Sequence, residues 1–178
     1  ADAVFEAVRE AIEASEQSGV HVQIVHMKLS GLDNRGRAGQ LLAEIDAARR
    51  RGVQIDCDAY PYTCAANPLR NLLPLWVQEG GLQPMLGRLR DPAVRQRVDR
   101  EIDERGLTSF GRIASWDAVS ISTSRTRSGD AGQSIAELAR RVCVAPIDLV
   151  CDLLGADAGA TFVVVCSIDE ADVQALLR

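Results

Sequence analysis

Two β-branched segments separated by an amphipathic helix constrain the fold of this chain more than any other feature. The first segment predicts a strand that starts at Val20, and its alternation places His26 and Lys28 on the side of its aliphatic residues. The second segment predicts a strand over residues 53–60, and residues 41–48 between them have a helical period. A strand–helix–strand order with so long a crossover is typical of a parallel sheet. The first third of the chain is therefore predicted to be α/β.

Helical and turn-rich segments flank this unit. Residues 3–18 predict an amphipathic helix that ends at Gly19. After Tyr62 the alternation gives way to a stretch rich in proline and glycine, followed by mostly helical patterns. The segment 161–166 predicts a buried strand, and residues 167–170 have the spacing of a capping box that opens a last helix.

Charge and hydropathy exclude several classes of partner. The formal net charge is −5, and no basic cluster interleaves with aromatic residues, so nucleic acid is not an expected partner. The longest apolar runs are far shorter than the roughly 20 residues that a membrane-spanning helix needs, so no membrane association is expected. The first residues do not resemble an export signal, and we expect a cytoplasmic location.

The five cysteines do not form a recognisable metal or redox motif. Their number is odd, and no two have the two-residue spacing of zinc ribbons or dithiol motifs. We interpret them mostly as buried thiols that act as small apolar side chains. A reactive or metal-binding thiol is the alternative, and Cys57 and Cys64 are its best candidates because they lie near the candidate site described next.

Chemically useful side chains gather where the two predicted strands end. His26 and Lys28, the only lysine, lie at the carboxyl end of the first strand, where α/β folds place ligands and catalytic groups. The second strand ends in Asp56-Cys57-Asp58-Ala59-Tyr60-Pro61-Tyr62. These residues alone leave a purely structural interpretation open, in which His26 bonds to backbone, Asp58 caps a loop and the tyrosines pack in the core.

Several segments together resemble one enzyme family. They are GVHVQIVHMKLSG (19–31), NRGRAGQLLAEIDAARRRGVQIDCDAYPYT (34–63), LLPLWVQEGG (72–81), GQSIAELA (132–139) and SIDEADVQALL (167–177). The combination resembles the middle of the N-acyl-D-amino-acid deacylases (D-aminoacylases) of the amidohydrolase superfamily. The resemblance covers essentially the whole chain.

This resemblance implies a zinc-dependent (β/α)-barrel hydrolase that cleaves the amide of a small-molecule substrate, an N-acyl-D-amino acid. His26 matches the family's zinc-binding histidine in a His-x-Lys motif. Lys28 and Tyr60, the first tyrosine of Asp-x-Tyr-Pro-Tyr, match residues that hold the substrate α-carboxylate. These implied roles agree with the chemistry of the side chains. A neutral imidazole can bind zinc, and an ammonium and a phenol hydroxyl can bind and orient an anion beside it.

The resemblance also implies an incomplete enzyme. It places the family's other zinc ligands and its catalytic aspartate outside this chain, so no catalytic residue is expected here. We therefore expect an internal fragment, a partial TIM-type barrel wedge with an inserted, mostly helical subdomain. The expected division is residues 1–64 for the barrel units, 65–154 for the insertion, and 155–178 for a returning strand and helix. Because the fragment would supply one zinc ligand of about three, it should hold zinc weakly at best. A wedge also exposes sheet edges and an apolar face, so the fragment should self-associate.

Two other functions remain open from the sequence. In the first, the chain is a non-catalytic interaction or assembly module, and Tyr60 points into a helix-packed core far from His26. In the second, Cys57 or Cys64 carries a thiol-based function. The enzyme hypothesis instead requires the side chains of His26 and Tyr60 to share one strand-end rim.

Overall fold

A computed structural model describes residues 3–178 and divides them into two compact units. The first unit contains residues 3–63 and Ile168–Arg178, and the second contains Cys64–Ser167. The helices are α1 (Ala3–Ser18), α2 (Ala38–Arg50), α3 (Leu75–Gln78), α4 (Leu82–Arg88), α5 (Pro92–Arg105), α6 (Ile135–Val142), α7 (Pro146–Ala156) and α8 (Glu170–Leu176). The strands are β1 (Val22–Ile24), β2 (Ile55–Cys57), β3 (Cys64–Pro68), β4 (Val119–Thr123) and β5 (Phe162–Cys166).

The first unit is the predicted strand–helix–strand arrangement. Strands β1 and β2 are parallel, and α2 connects them through the crossover. Helix α1 ends at Ser18 as predicted, where Gly19 takes a positive φ of 68° that a residue without a Cβ adopts easily. The apolar faces of both helices enter one core, in which Phe5 and Leu41 are fully buried. The parallel pair therefore lies against helices, as an α/β fold requires.

Both strands of this unit are shorter than predicted. Strand β1 ends at Ile24, and His26 takes a left-handed backbone conformation with a φ of 54°. This turn breaks the alternation, so His26 is exposed whereas Met27 and Leu29 are buried. The prediction that His26 continues the aliphatic side of the strand is therefore wrong, because a single left-handed residue resets which side each later residue faces.

Helix α8 is joined to α2 by a buried carboxylate. Asp172 is 2% exposed, and its two oxygens accept hydrogen bonds from the backbone N–H groups of Gly36 (2.8 Å) and Ala38 (3.0 Å) at the start of α2. Such bonds satisfy donors that a helix leaves unpaired at its N-terminus. The capping-box prediction at residues 167–170 is wrong, because the N-cap of α8 is Asp169, which accepts from Ala171.

The second unit is built on an antiparallel sheet with the order β3-β5-β4. Val163 and Val165 on the central strand are fully buried and join the largest apolar core of the described residues. The sequence-based division places this strand outside the insertion, but its pairing with β3 and β4 places it within the second unit. Strand β3 has no counterpart in the sequence-based prediction.

The fold class is mixed α/β, as predicted. The two sheets have two and three strands, and neither closes on itself. The structure by itself thus does not show a barrel. Among residues 3–178, no helix combines the length and the apolar content that a membrane crossing needs.

Candidate functional site

The three predicted site residues come together at the carboxyl ends of β1 and β2. Because the strands are parallel, both chains leave the sheet at the same edge, with His26 two residues beyond β1 and Tyr60 three residues beyond β2. The rings of His26 and Tyr60 meet edge to face, with 5.8 Å between their centroids. The Nζ atom of Lys28 lies 5.5 Å from the centroid of the Tyr60 ring. The structure therefore places all three side chains on one rim.

The Lys28 ammonium lies in a partly dehydrated position. Its side chain is half-buried, and Nζ donates one hydrogen bond to the carbonyl oxygen of His26 at 3.1 Å. Burial lowers the pKa of Lys28 because it removes water from the charged form. An ammonium has three donors, so further donors remain for an anion.

Tyr60 is also half-buried, and the same loss of solvent raises the pKa of its phenol. The hydroxyl is therefore protonated at neutral pH and can donate a hydrogen bond. Tyr62, which is 65% exposed, lies beside it with 6.0 Å between the ring centroids. Together Lys28 and Tyr60 present positive charge and a hydroxyl donor, a pair suited to a carboxylate.

The two acids of the second strand end pair with different residues of the first. Asp56 Oδ2 lies 2.9 Å from His21 Nε2, and both side chains are largely exposed. Asp58 Oδ1 accepts a hydrogen bond from the backbone N–H of His26 at 2.7 Å. The sequence-based interpretation of Asp58 as a cap for a loop missed this partner, which the parallel alignment of β1 and β2 brings opposite it.

The described part of the chain does not contain a complete metal site. Among residues 3–178, no group of three or more histidine, cysteine, aspartate or glutamate residues is placed to hold a metal ion. A protein zinc site uses three or four such ligands. His26 is thus at most one member of a ligand set.

The states of the cysteines differ in part from the predicted buried thiols. Cys64 and Cys166, which pair across β3 and β5, form a disulfide. Of the remaining three, Cys151 is buried as predicted, Cys57 is half-buried against the core of the first unit, and Cys143 is exposed. A free thiol at Cys64 is thus contradicted, and of the two candidates for a thiol function only Cys57 is unpaired.

In the folded protein, the rate at which each free cysteine is alkylated is expected to follow its exposure. Without reductant, iodoacetamide should modify Cys143 first and Cys151 last, since burial raises the pKa of the Cys151 thiol to about 12. Mass spectrometry of peptides from a time course measures the order, and the same reaction in denaturant gives the unprotected reference. A faster reaction at Cys57 than at Cys143 would contradict this prediction and favour a thiol function.

Solved structures of two kinds of deacylase match nearly the whole chain. N-acyl-D-glutamate deacylase from Bordetella bronchiseptica, complexed with zinc and a phosphonate inhibitor that mimics the tetrahedral intermediate, gives a TM-score of 0.65 at 19% identity over 97% of this chain. A D-aminoacylase described as defining a novel subset of amidohydrolases gives 0.60 at 22% identity over 98%. A D-aminoacylase mutant in complex with copper chloride gives 0.59 at 22% identity over 96%. This chain has the fold of a segment of these deacylases.

This chain matches only part of each of these deacylase structures. This chain spans 27% of the length of each of these deacylase structures. No protein-family profile matches the sequence, and a sequence comparison with curated proteins finds no match. The likeness to the deacylase segment is therefore a likeness of fold.

Proposed function

We propose that this chain supplies part of the active site of a metal-dependent amidohydrolase that cleaves N-acyl-D-amino acids. Hydrolysis of the amide bond would release a carboxylate and a free D-amino acid. The observation that carries the proposal is the convergence of His26, Lys28 and Tyr60 at the carboxyl ends of two parallel strands. The shared fold with two kinds of D-amino-acid deacylase supports it. The β1–α2–β2 unit is then one wedge of a (β/α) barrel.

Zinc, the metal in the deacylase complex with the phosphonate, does not fit this chain alone. Residues 3–178 place no set of three ligands together, and the His26 imidazole lies against the Tyr60 ring of the proposed carboxylate-binding pair. We infer that His26 provides one ligand of the site and that the other ligands and the general base lie outside these residues.

The residues that this chain does provide are suited to binding and orienting the substrate. Lys28 would pair with the α-carboxylate, and its partial burial strengthens that pairing because less water screens the charges. The protonated hydroxyl of Tyr60 would donate to the same carboxylate. Fixing the carboxylate at two points beside the imidazole would hold the neighbouring amide in one position, which lowers the entropic part of the barrier.

The proposed reaction is tested with the complete protein that carries this sequence. The assay measures release of the free amino acid from N-acetyl-D-amino acids and from their L-enantiomers, with zinc supplied. Hydrolysis of the D-series with little activity on the L-series is expected. Failure to hydrolyse any N-acetyl-D-amino acid across acidic, neutral and apolar side chains would overturn the proposal.

Replacing Lys28 with methionine in that protein is expected to lower kcat/KM by roughly 10- to 150-fold. The change removes one charge-assisted contact with the carboxylate, which contributes about 1.5–3 kcal/mol, and keeps most of the apolar side-chain volume. Steady-state kinetics with the best D-substrate measures the change in kcat/KM, and KM is expected to increase. Arg50→Met, which removes an exposed positive charge from the end of α2, is the matched control and should leave the kinetics unchanged. Equal kinetics for Lys28→Met and wild type would refute the role of Lys28.

A further inference from the structure

The backbone of His26 is unusual for its place in the fold. Among residues 3–178, three residues other than glycine have a positive φ, namely His26 (54°), Cys143 (56°) and Ala158 (49°). Cys143 caps the end of α6, and Ala158 follows the end of α7, where left-handed residues are common. His26 instead follows a strand. A left-handed residue with a side chain is strained, and it persists where the surrounding structure holds it.

Asp58 provides the bonds that hold this turn. Its carboxylate accepts from the backbone N–H of His26 at 2.7 Å, and its carbonyl oxygen accepts from the N–H of Met27, also at 2.7 Å. Its own N–H donates to the carbonyl oxygen of Ile24 at 3.0 Å. Asp58, which directly follows β2, thus forms hydrogen bonds to residues before, at and after the left-handed residue.

The carboxylate bond differs from the two backbone bonds in its dependence on sequence. Any residue other than proline at position 58 retains the backbone groups that bond Ile24 and Met27, but the bond to His26 requires a side-chain acceptor of this length. The carboxylate is charged, so this hydrogen bond is of the stronger class. The direction of the His26 side chain follows from its backbone conformation, and in the structure the imidazole lies against the ring of Tyr60.

We propose that Asp58 is a positioning residue whose carboxylate fixes the left-handed turn at His26 and so directs the imidazole towards Tyr60. The importance of this direction for hydrolysis rests on the proposed function, whereas the geometry itself does not. Asp58 is separate from the substrate-binding pair, since its Oδ1 is engaged by backbone and its Oδ2 lies 3.5 Å from Gln23 Nε2.

The chain offers a direct spectroscopic test because it contains two histidines, His21 and His26, and two tyrosines. In proton NMR of the 178-residue chain at about pH 8.5, well above the usual imidazole pKa of about 6.5, the ring protons of His26 should show nuclear Overhauser effects to Tyr60. The variant His21→Gln assigns the two imidazoles. In Asp58→Ala, the His26–Tyr60 effects should be lost and the His26 signals should move towards those of an unstructured peptide, while the His21 signals stay in place.

Two further variants separate positioning from a general loss of structure. Asp56→Ala is the matched control, because the Asp56 carboxylate pairs with the imidazole of His21; it should shift the His21 signals and leave His26 unchanged. Asp58→Asn retains an oxygen acceptor for the His26 N–H and should restore the contact with Tyr60. Methyl signals from the buried core residues Leu41 and Ile45 report whether the first unit is folded in each variant.

Unchanged His26 signals and an intact contact with Tyr60 in Asp58→Ala would overturn the proposal. If Asp58→Ala does not fold, Asp58→Asn decides: a folded chain with the contact supports positioning, and loss of either the fold or the contact overturns it. The test uses no catalytic readout. Absence of hydrolysis by the complete protein would therefore refute the proposed function and leave the role of Asp58 in the turn standing.

Discussion

Replacement of Asp157 by alanine is expected to lower the free energy of unfolding of the second unit by about 3–4 kcal/mol. Asp157 is 2% exposed, and its carboxylate accepts four hydrogen bonds. Oδ1 accepts from the backbone N–H and the hydroxyl of Thr126, and Oδ2 accepts from the Arg125 N–H and the Thr161 hydroxyl. Alanine would leave these donors without an acceptor, and such donors are costly when they are removed from water.

The effect is measurable in the intact chain by urea unfolding. Both tryptophans, Trp76 and Trp116, lie in the second unit, so their fluorescence reports on that unit. Asp103→Ala removes an exposed carboxylate from α5 and is the control; it should change the free energy of unfolding by less than about 0.5 kcal/mol. An equally small effect for Asp157→Ala would show that the carboxylate does not stabilise the fold.

The stability that the Asp157 carboxylate contributes is expected to depend on pH. Burial by itself raises the pKa of Asp157, but the hydrogen bonds from Thr126 and Thr161 outweigh it and hold the pKa well below its usual range. A carboxyl group whose pKa is lower in the folded than in the unfolded chain stabilises the fold when it is ionised. This contribution is fully present at pH values above the unfolded pKa of about 3.9. This contribution should decline as the pH falls below about 4, and the difference between wild type and Asp157→Ala should narrow there.

The sequence predicted helices α1 and α2 and the meeting of the three candidate residues at one rim, because these follow from local rules. The period of residues 3–18 is sufficient to define α1, and the strand–helix–strand order is sufficient to make β1 and β2 parallel. Parallel strands end at a common edge, so the order of the elements is sufficient to bring the backbone of His26, Lys28 and Tyr60 to one rim.

What the sequence did not predict depends on contacts between distant residues. The left-handed turn at His26 follows from a hydrogen bond to Asp58, 32 residues away, and no residue type at position 26 announces it. Strand β3 contains Asn67 and Pro68, which disfavour strands, and it forms because the apolar strand β5 pairs with it. The partner of β3 lies about 100 residues further along the chain, beyond the reach of any pattern in a local window.

The disulfide between Cys64 and Cys166 also joins residues that are far apart in the sequence. Its removal is expected to have the largest effect on the free energy of unfolding. The two cysteines are separated by 102 positions. In the chain-entropy account, a cross-link that closes a loop of about 100 residues restricts the unfolded chain enough to add roughly 4–5 kcal/mol to the free energy of unfolding. The double variant Cys64→Ser/Cys166→Ser should therefore unfold at much lower urea concentration, as measured by tryptophan fluorescence.

Reductant provides the internal control for this prediction. A water-soluble phosphine should destabilise the wild-type second unit to about the level of the double variant and leave the double variant unchanged, because the variant has no bond to reduce. Cys143→Ser removes an exposed, unpaired thiol and should leave stability nearly as it is. Alkylation of the unreduced protein in denaturant should label the three free cysteines, whereas five labelled cysteines would contradict the bond. Since cytosolic thiols are mostly kept reduced, the compartment in which the protein resides would then set the stability of the second unit.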